Sequence, residues 1–173
     1  MNVYPIEAGN FKLDGGAMFG VVPKSLWTKT NPADADNMIE MSSRCMLVEN
    51  SDKLILVDTG MGDKQSEKFF KYYKRWGSDN LVKSINSAGF SIDDVTDVLL
   101  THLHFDHCGG AVAWDSSKEA YDVLFKNANY WSNEKHWGWA TNPNPREKAS
   151  FLEENLFPIK ESGQLKFISN MSK

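Results

Sequence analysis

The sequence has few cysteines and no long hydrophobic segment. Its two cysteines, Cys45 and Cys108, lie far apart and form no CxxC pair, which is typical of a protein in a reducing compartment. No window approaches the roughly 18 consecutive apolar residues of a membrane span, and the N-terminus has no basic start followed by an apolar stretch. We therefore expect a cytoplasmic protein that does not interact with a membrane.

Neither sign of charge is concentrated in one part of the chain. The 23 acidic and 19 basic residues give a net charge of −4 and are spread along the sequence. Without a basic tract the chain lacks the usual signature of a nucleic-acid partner. Hydrophobic residues make up 41% of the 173 residues, which is enough for a core. Because no repeat or linker interrupts the sequence, we expect a single domain over residues 1–173.

Apolar runs and turn residues predict strands first and then alternating strands and helices, the order of an α/β or layered α+β fold. The predicted strands are two short ones around the turn at residues 14–16, the second over residues 18–22, and further ones at 44–50, 53–58, 95–101 and 122–125. The predicted helices cover residues 64–76 and 79–88, begin near residue 132, and cover residues 145–156. Residues 28–37 should form a loop.

An aromatic stripe marks the first of these helices. Phe69, Tyr72, Tyr73 and Trp76 follow the i, i+3, i+4, i+7 spacing of one helix face. We expect these rings to lie in the core and the lysines of residues 64–76 to be solvated.

The stretch HLHFDHCGG, residues 102–110, contains three of the four histidines. Neutral imidazoles and carboxylates are the usual ligands of zinc-like ions. In an extended segment alternate side chains point the same way, so His102, His104 and Asp106 should share one face. His107 would point away unless the chain turns, and Gly109 and Gly110 permit a turn. The spacing suggests two neighbouring metal centres, with His102 and His104 on one and Asp106 and His107 on the other.

The other reactive side chains favour structural roles. His136 is isolated in NEKHWGW, and such a histidine is usually a hydrogen-bonded structural group. Cys108 follows His107 directly, but no base is left free beside it, so a small buried packing residue is favoured over a nucleophile.

The sequence THLHFDHCGG resembles the HxHxDH signature of the metallo-β-lactamase superfamily, and LILVDTGMGDK resembles the strand of that family that ends in Asp-Thr-Gly. The segments DGGAMFGVVPKSLW, RCMLVEN and NPREKASFLEENLFPI are similar to the branch that contains acyl-homoserine-lactone lactonases and methyl-parathion-hydrolase-like enzymes. The resemblance implies an αββα sandwich, with a mixed sheet and flanking helices, of which this chain would form the N-terminal half.

The resemblance also implies roles for individual residues. His102 and His104 would bind one metal and Asp106 and His107 the other, both ions being divalent and usually zinc, and Asp106 is also the candidate catalytic residue. Asp58 would steady the histidine loop without touching the metal, although it could equally be an ordinary turn residue at a strand end.

Three further ligands of the family are missing. Its members supply a histidine, a bridging aspartate and a final histidine after the HxHxDH loop, whereas only His136 follows His107 here. About two donors per metal are fewer than the three or four that zinc sites normally use. We therefore expect weak binding, an inactive isolated chain, and either a missing C-terminal half or self-association to cover an apolar sheet face.

The expected activity of the complete site is metal-dependent hydrolysis of a lactone, an ester or a phosphotriester. Phe19, Trp27 and Phe105 are the candidate pocket residues for such a small, mostly apolar substrate. A thioester hydrolase of the same superfamily is an alternative, and the acidic balance disfavours RNA processing. A further alternative is a non-catalytic module that folds by association and binds little metal.

Overall fold

The computed structural model describes residues 1–168, so the last five residues of the predicted domain lie outside the described residues. The largest layer is a six-stranded sheet in the order β1-β2-β3-β4-β7-β8. Its strands are Asn2–Asp14 (β1), Met38–Asn50 (β2), Lys53–Val57 (β3), Asp97–Leu99 (β4), Asn129–Ser132 (β7) and Leu165–Phe167 (β8). The strands β1, β2 and β3 pair antiparallel, and the pairs β3-β4, β4-β7 and β7-β8 are parallel. The predicted mixed sheet is confirmed.

A tight turn joins β2 and β3. Asn50 pairs with Lys53 across the two turn residues, and Ser51 has a φ of 54°, as short hairpin turns require. The predicted hairpin is therefore correct, although β2 begins six residues before the predicted strand at residue 44.

The prediction for the N-terminal segment is wrong. β1 is one strand of 13 residues, and the apolar run at residues 18–22 is not a strand. The helix Gly15–Phe19 (α1) begins there because the Asp14 carboxylate accepts a hydrogen bond from the Ala17 amide at 2.8 Å. A second short helix, Lys24–Trp27 (α2), follows, and residues 28–37 form the predicted loop.

The helix Glu67–Tyr72 (α3) is shorter than predicted, and its aromatic stripe is only partly buried. Phe69 and Tyr73 pack into a cluster with Phe105, but Tyr72 is 67% exposed and Trp76 is 39% exposed. The helix ends at Tyr72, so the i, i+3, i+4, i+7 spacing no longer holds the four rings on one face.

The remaining helices are Leu81–Ser87 (α4), Phe105–Cys108 (α5), Glu134–Ala140 (α6) and Glu153–Glu161 (α7). α4 lies within the predicted range and is followed by Gly89 at φ 92°. α6 begins beside the predicted start at residue 132, whereas α7 begins eight residues after the predicted start at 145. A two-stranded sheet of Val112–Trp114 (β5) and Tyr121–Val123 (β6) completes the fold, and β5, β7 and β8 were not predicted. None of the helices in the described residues combines the length and apolar character needed to cross a bilayer.

The two faces of the large sheet differ in their cover. One face contributes Leu47, Leu56, Val98 and Tyr130 to a core that also contains residues of α4, α6 and α7. The opposite face, which we call the open face, carries Pro5, Met46, Val57, Leu99 and Trp131 in register across five strands, with Val3 beside Pro5 on the same face of β1. Val3 is 53% exposed and Met46 is 43% exposed. The open face therefore carries exposed apolar side chains on β1 and β2 and half-buried ones on β3, β4 and β7, and the expectation that a further segment covers it stays a prediction.

Candidate metal centre

Two neighbouring parallel strands bring Asp58 to the histidine loop. Val57, the last residue of β3, pairs with Leu99, the last residue of β4, and the Asp58 amide donates to the Leu99 carbonyl at 2.9 Å. The carboxyl ends of parallel strands meet at one sheet edge, where α/β folds commonly place their sites. The segment after β3 and the loop after β4 therefore lie side by side.

The histidine loop is not extended throughout, which corrects the predicted alternation of its side chains. His104 has extended dihedral angles, but the chain then forms the single helical turn α5. Asp106 and His107 lie on that turn and not on a strand face. The sequence suggested that Gly109 and Gly110 would supply the turn that brings His107 back towards His102. The turn instead lies before Gly109, in α5.

The imidazole of His102 lies against the other two imidazoles of the loop. The ring centroids of His102 and His107 are 3.9 Å apart, and those of His102 and His104 are 4.7 Å apart. Nε2 of His107 lies 3.6 Å from Oδ2 of Asp106. Two ligands about 2.1 Å from one zinc ion at a tetrahedral angle would be about 3.4 Å apart, so this separation suits a shared ion.

The donors nevertheless do not complete a site. Across residues 1–168 no three histidine, cysteine, aspartate or glutamate side chains converge in an arrangement that could hold a metal ion. The nitrogen and oxygen donors of the loop suit a zinc-like ion by their chemistry alone.

Asp58 holds both ends of the loop. Its Oδ1 accepts from the Thr101 amide at 2.9 Å, and its Oδ2 accepts from Nδ1 of His107 at 2.8 Å. The Thr101 hydroxyl also donates to this carboxylate, at 2.8 Å from Oδ2. Burial raises the pKa of Asp58, but the hydrogen bonds from His107 and Thr101 outweigh it and hold this pKa below its ordinary value. The carboxylate is therefore ionised at neutral pH.

The electrostatics differ between the histidines. Burial, together with the nearby imidazoles of His107 and His104, lowers the pKa of His102 to about 4, which keeps this ring neutral. Burial also acts to lower the pKa of His107, but the hydrogen bond to Asp58 and the charge of Asp106 raise it above its ordinary value. Because Nδ1 of His107 donates to Asp58, its Nε2 is the nitrogen left to act as a ligand.

Backbone contacts join the segment after β3 to the end of the loop. The Thr59 amide and hydroxyl both donate to the His107 carbonyl, at 2.8 and 2.9 Å, and the Gly110 amide donates to the Gly60 carbonyl at 3.0 Å. A Cβ atom on Gly110 would lie 2.2 Å from the Thr59 carbonyl oxygen. Glycine is therefore required at position 110 by direct backbone contact.

His136 and Cys108 have the structural surroundings that the sequence predicted. Nε2 of His136 accepts a hydrogen bond from the Leu103 amide at 3.0 Å, between two of the candidate ligands. The Cys108 thiol is fully buried, donates to the Leu103 carbonyl at 3.3 Å, and has its pKa raised to about 12 by burial. A thiol in this state is a poor nucleophile at neutral pH.

The three candidate pocket residues do not form one group. The Phe19 ring stacks on Trp27 with centroids 5.0 Å apart, and Trp27 packs against Gly15. Phe105 lies instead in the cluster that contains Phe69 and Tyr73. Their part in substrate binding remains a prediction.

A cavity of about 120 Å³ lies beside the site. Asp58, Asp106 and His107 reach its wall, together with Phe11 and Met41 of β1 and β2. No pattern in the sequence selects Phe11 or Met41, because their positions depend on the pairing of β1 with β2, in which the two residues are partners.

Several residues around the loop were missed from the sequence. Thr101 and Thr59 are adjacent in sequence to His102 and Asp58. Their hydroxyl groups, which can donate hydrogen bonds, could have indicated a role at the site. Lys64 was expected in solvent but is 4% exposed. Phe151, whose ring centroid is 4.8 Å from that of His104, had no signal at all.

Residues 39–165 match the family model described as the Metallo-beta-lactamase superfamily. A probable metal-dependent hydrolase from Staphylococcus aureus is 29% identical with a TM-score of 0.86, and the match covers 96% of this chain and 58% of that one. AidC, a dizinc quorum-quenching lactonase solved with a product, is 26% identical with a TM-score of 0.71, covering 99% and 59%. An N-acyl homoserine lactonase from Bacillus cereus is 28% identical over 104 residues, 54% of this chain and 40% of that protein. The chain thus spans less than two thirds of the length of each.

Proposed function

The chain belongs to the metallo-beta-lactamase superfamily, and from this premise we propose that it is the N-terminal portion of a metal-dependent hydrolase of lactones or related esters. The observation that carries the proposal is the cluster of His102, His104, Asp106 and His107 at the sheet edge, with Asp58 behind it. The lactonases among its relatives support a lactone as the substrate class.

Each candidate ligand has a place in this proposal. His102 and His104 would hold one divalent ion, and Asp106 and His107 a second, with zinc favoured by the nitrogen and carboxylate donors and by the dizinc relative. Such ions would supply a Lewis acid and a nucleophilic water at neutral pH. Asp106 is the protein side chain that we place nearest to that chemistry.

Asp58 acts on the site through His107. Its carboxylate accepts the Nδ1 proton, which fixes the ring orientation and leaves the Nε2 electron pair facing the Asp106 side. Carboxylates in this position raise the basicity of a histidine ligand. The same carboxylate accepts from Thr101, so it also sets where the loop begins.

We propose that the active unit includes a segment beyond the described residues. The 173 residues would form one domain that requires a complementary half, for two reasons. About two donors per ion are fewer than a zinc site needs, and the open face presents partly exposed apolar side chains. The solved relatives extend well beyond the matched part, which supports a C-terminal half as the missing partner. The isolated chain should therefore be inactive. We also propose that the protein is cytoplasmic.

The substrate pocket would be completed by the same missing half. Phe19, Trp27 and Phe105 remain its candidate residues from this chain, since they lie near the N-terminal loop and the histidine loop, although Trp27 and Phe105 are buried within the described residues. Phosphotriesters and thioesters are the alternative substrates for this arrangement.

The test compares two forms of the protein, the 173-residue chain and a longer form that carries a complementary C-terminal half. Both are loaded with zinc and assayed against N-hexanoyl homoserine lactone, a phosphotriester and a thioester. We expect the longer form to open the lactone and the short chain to show no turnover. His104→Ala in the longer form should abolish activity, and Lys135→Ala, an exposed position, should not.

Three results would revise the proposal. A longer form that retains zinc but cleaves none of the substrates would contradict the proposal that the protein is a hydrolase. A short chain that binds no zinc and forms a stable self-associated state would favour the non-catalytic module. Preferential thioester cleavage would change the substrate class and leave the site intact.

A further inference from the structure

Lys64 is a buried cation in the part of the chain that supports the histidine loop. Its side chain is 4% exposed, and its ammonium group donates to the Gly109 carbonyl at 2.5 Å. A lysine side chain is rarely buried unless its ammonium group is paired, because the desolvation of an ammonium group is costly. No ion pair within hydrogen-bonding distance is recorded for Lys64 in the described residues.

The Gly109 carbonyl has a second donor, which makes the lysine contact additional to the local backbone structure. The Val112 amide donates to the same oxygen within the 3-10 turn Gly109–Ala111. Local folding of the turn therefore does not by itself require Lys64. The ammonium group adds a further connection from the segment after β3 to this turn, beside those made by Thr59 and Gly60.

Close backbone packing places the segment after β3 directly against this turn. A Cβ atom on Gly109 would lie 2.3 Å from the Met61 carbonyl oxygen, and one on Gly62 would lie 2.8 Å from the Gly109 oxygen. The two backbones are thus in direct contact, with no space for a side chain between them. Lys64, two residues after Gly62, reaches around this contact to the carbonyl.

The connection lies directly behind the candidate ligands. Gly109 follows the turn α5, which carries Asp106 and His107, and the His107 carbonyl is already held by Thr59. From these contacts we infer that Lys64 is a positioning residue: by holding the Gly109 carbonyl it fixes the turn that aims Asp106 and His107. This inference rests on the proposed function only in taking those two side chains as metal ligands.

The test uses the metal-free 173-residue chain, so its outcome is independent of zinc binding and of hydrolysis. The protein has four histidines, and nitrogen-15 NMR resolves the tautomer and environment of each imidazole. We expect Lys64→Met to shift or broaden the His107 signals, with loss of the Nδ1 proton shared with Asp58, and to leave His136 unchanged. Lys53→Met is the matched control, since Lys53 pairs with Asp97 at 3.0 Å and makes no contact with the loop.

Three outcomes would overturn the inference. Unchanged His107 signals in a folded Lys64→Met chain would show that the contact does not position the turn. If that variant does not fold, Lys64→Arg keeps the cation but lengthens its reach, and it should displace His107 alone. Failure of both variants to fold, or equal shifts at all four histidines, would show that Lys64 stabilises the whole fold and is not a positioning residue.

Discussion

Nδ1 of His107 lies 2.8 Å from Oδ2 of Asp58, although 49 residues separate the two along the chain. The pair joins the end of β3 to the helical turn after β4, and Asp58 adopts a φ of 59° to make it. A residue other than glycine is strained in that region, so the fold holds Asp58 in this conformation at some cost in backbone energy. The carboxylate is the group that decides which nitrogen of His107 is free.

Removal of the Asp58 charge should weaken metal binding without removing a ligand. For Asp58→Asn we expect a loss of about 10 to 100-fold in zinc affinity, the usual effect of changing a carboxylate that orients a histidine ligand. Competition with a chromophoric chelator measures it. Asp97→Asn is the control, because Asp97 is also buried but bonds to Lys53 and Trp131. Equal affinities in Asp58→Asn and the unmodified chain would show that the contact does not support the site.

Two glycines should respond to alanine in opposite directions. Gly110→Ala places a Cβ against the Thr59 carbonyl oxygen and should lower the free energy of unfolding by about 1–3 kcal/mol. Gly138 lies in α6 with open space at its Cβ, so Gly138→Ala should raise it by about 0.5–1 kcal/mol. Urea denaturation measures both. A stable Gly110→Ala chain would contradict the backbone contact described here.

His136 should matter as a hydrogen-bond acceptor and not as a metal ligand. His136→Phe leaves the Leu103 amide without its partner and should cost about 1–3 kcal/mol of the free energy of unfolding. His136→Gln keeps an acceptor and should cost less. Hydrogen exchange at the Leu103 amide, compared between the two variants, measures the local effect, and equal protection in both would rule out this role.

The pH dependence of stability should reveal the buried lysine. Burial lowers the pKa of Lys64 to about 8 from the value of 10.5 that is ordinary for lysine. Between these values the unfolded chain holds the proton and the folded chain has released it, so Lys64 should contribute a rise in the free energy of unfolding from about pH 8 to about pH 10.5, measured as the difference from Lys64→Met, since the buried thiols of Cys45 and Cys108 act in the opposite direction in both proteins. The full difference is on the order of 3 kcal/mol. Lys64→Met should lack this rise, and parallel curves for the two proteins would show that Lys64 keeps its ordinary pKa.

Much of the site could be predicted because its signals are local. The alternating His102, His104 and Asp106, with His107 next to them, indicate metal ligands by residue type alone, and the apolar run before them indicates the strand that delivers them. The hairpin at Ser51 was predictable for the same reason, since two apolar runs flank a short polar turn.

The rest depends on contacts between distant segments. The helical turn α5 replaced the expected extended chain because α5 and Gly109–Ala111 are held by residues 59–64, which no pattern in residues 102–110 encodes. Lys64 was predicted to be a solvated lysine of the first helix. It lies outside that helix, because α3 begins three residues later, at Glu67. The strand expected at residues 18–22 is replaced by the end of α1, which the Asp14 side chain caps, and by the turn that follows it.

The central claim is that His102 and His104 on one ion, and His107 on its neighbour, belong to the proposed pair of metal centres and that His136 does not. Zinc titration of the 173-residue chain, followed through the nitrogen-15 signals of its four imidazoles, tests it most directly. The account predicts that three imidazoles respond together, that His136 stays unchanged, and that dialysis removes the weakly held zinc. Zinc-independent signals from His102, His104 and His107, or an equal response from His136, would contradict it.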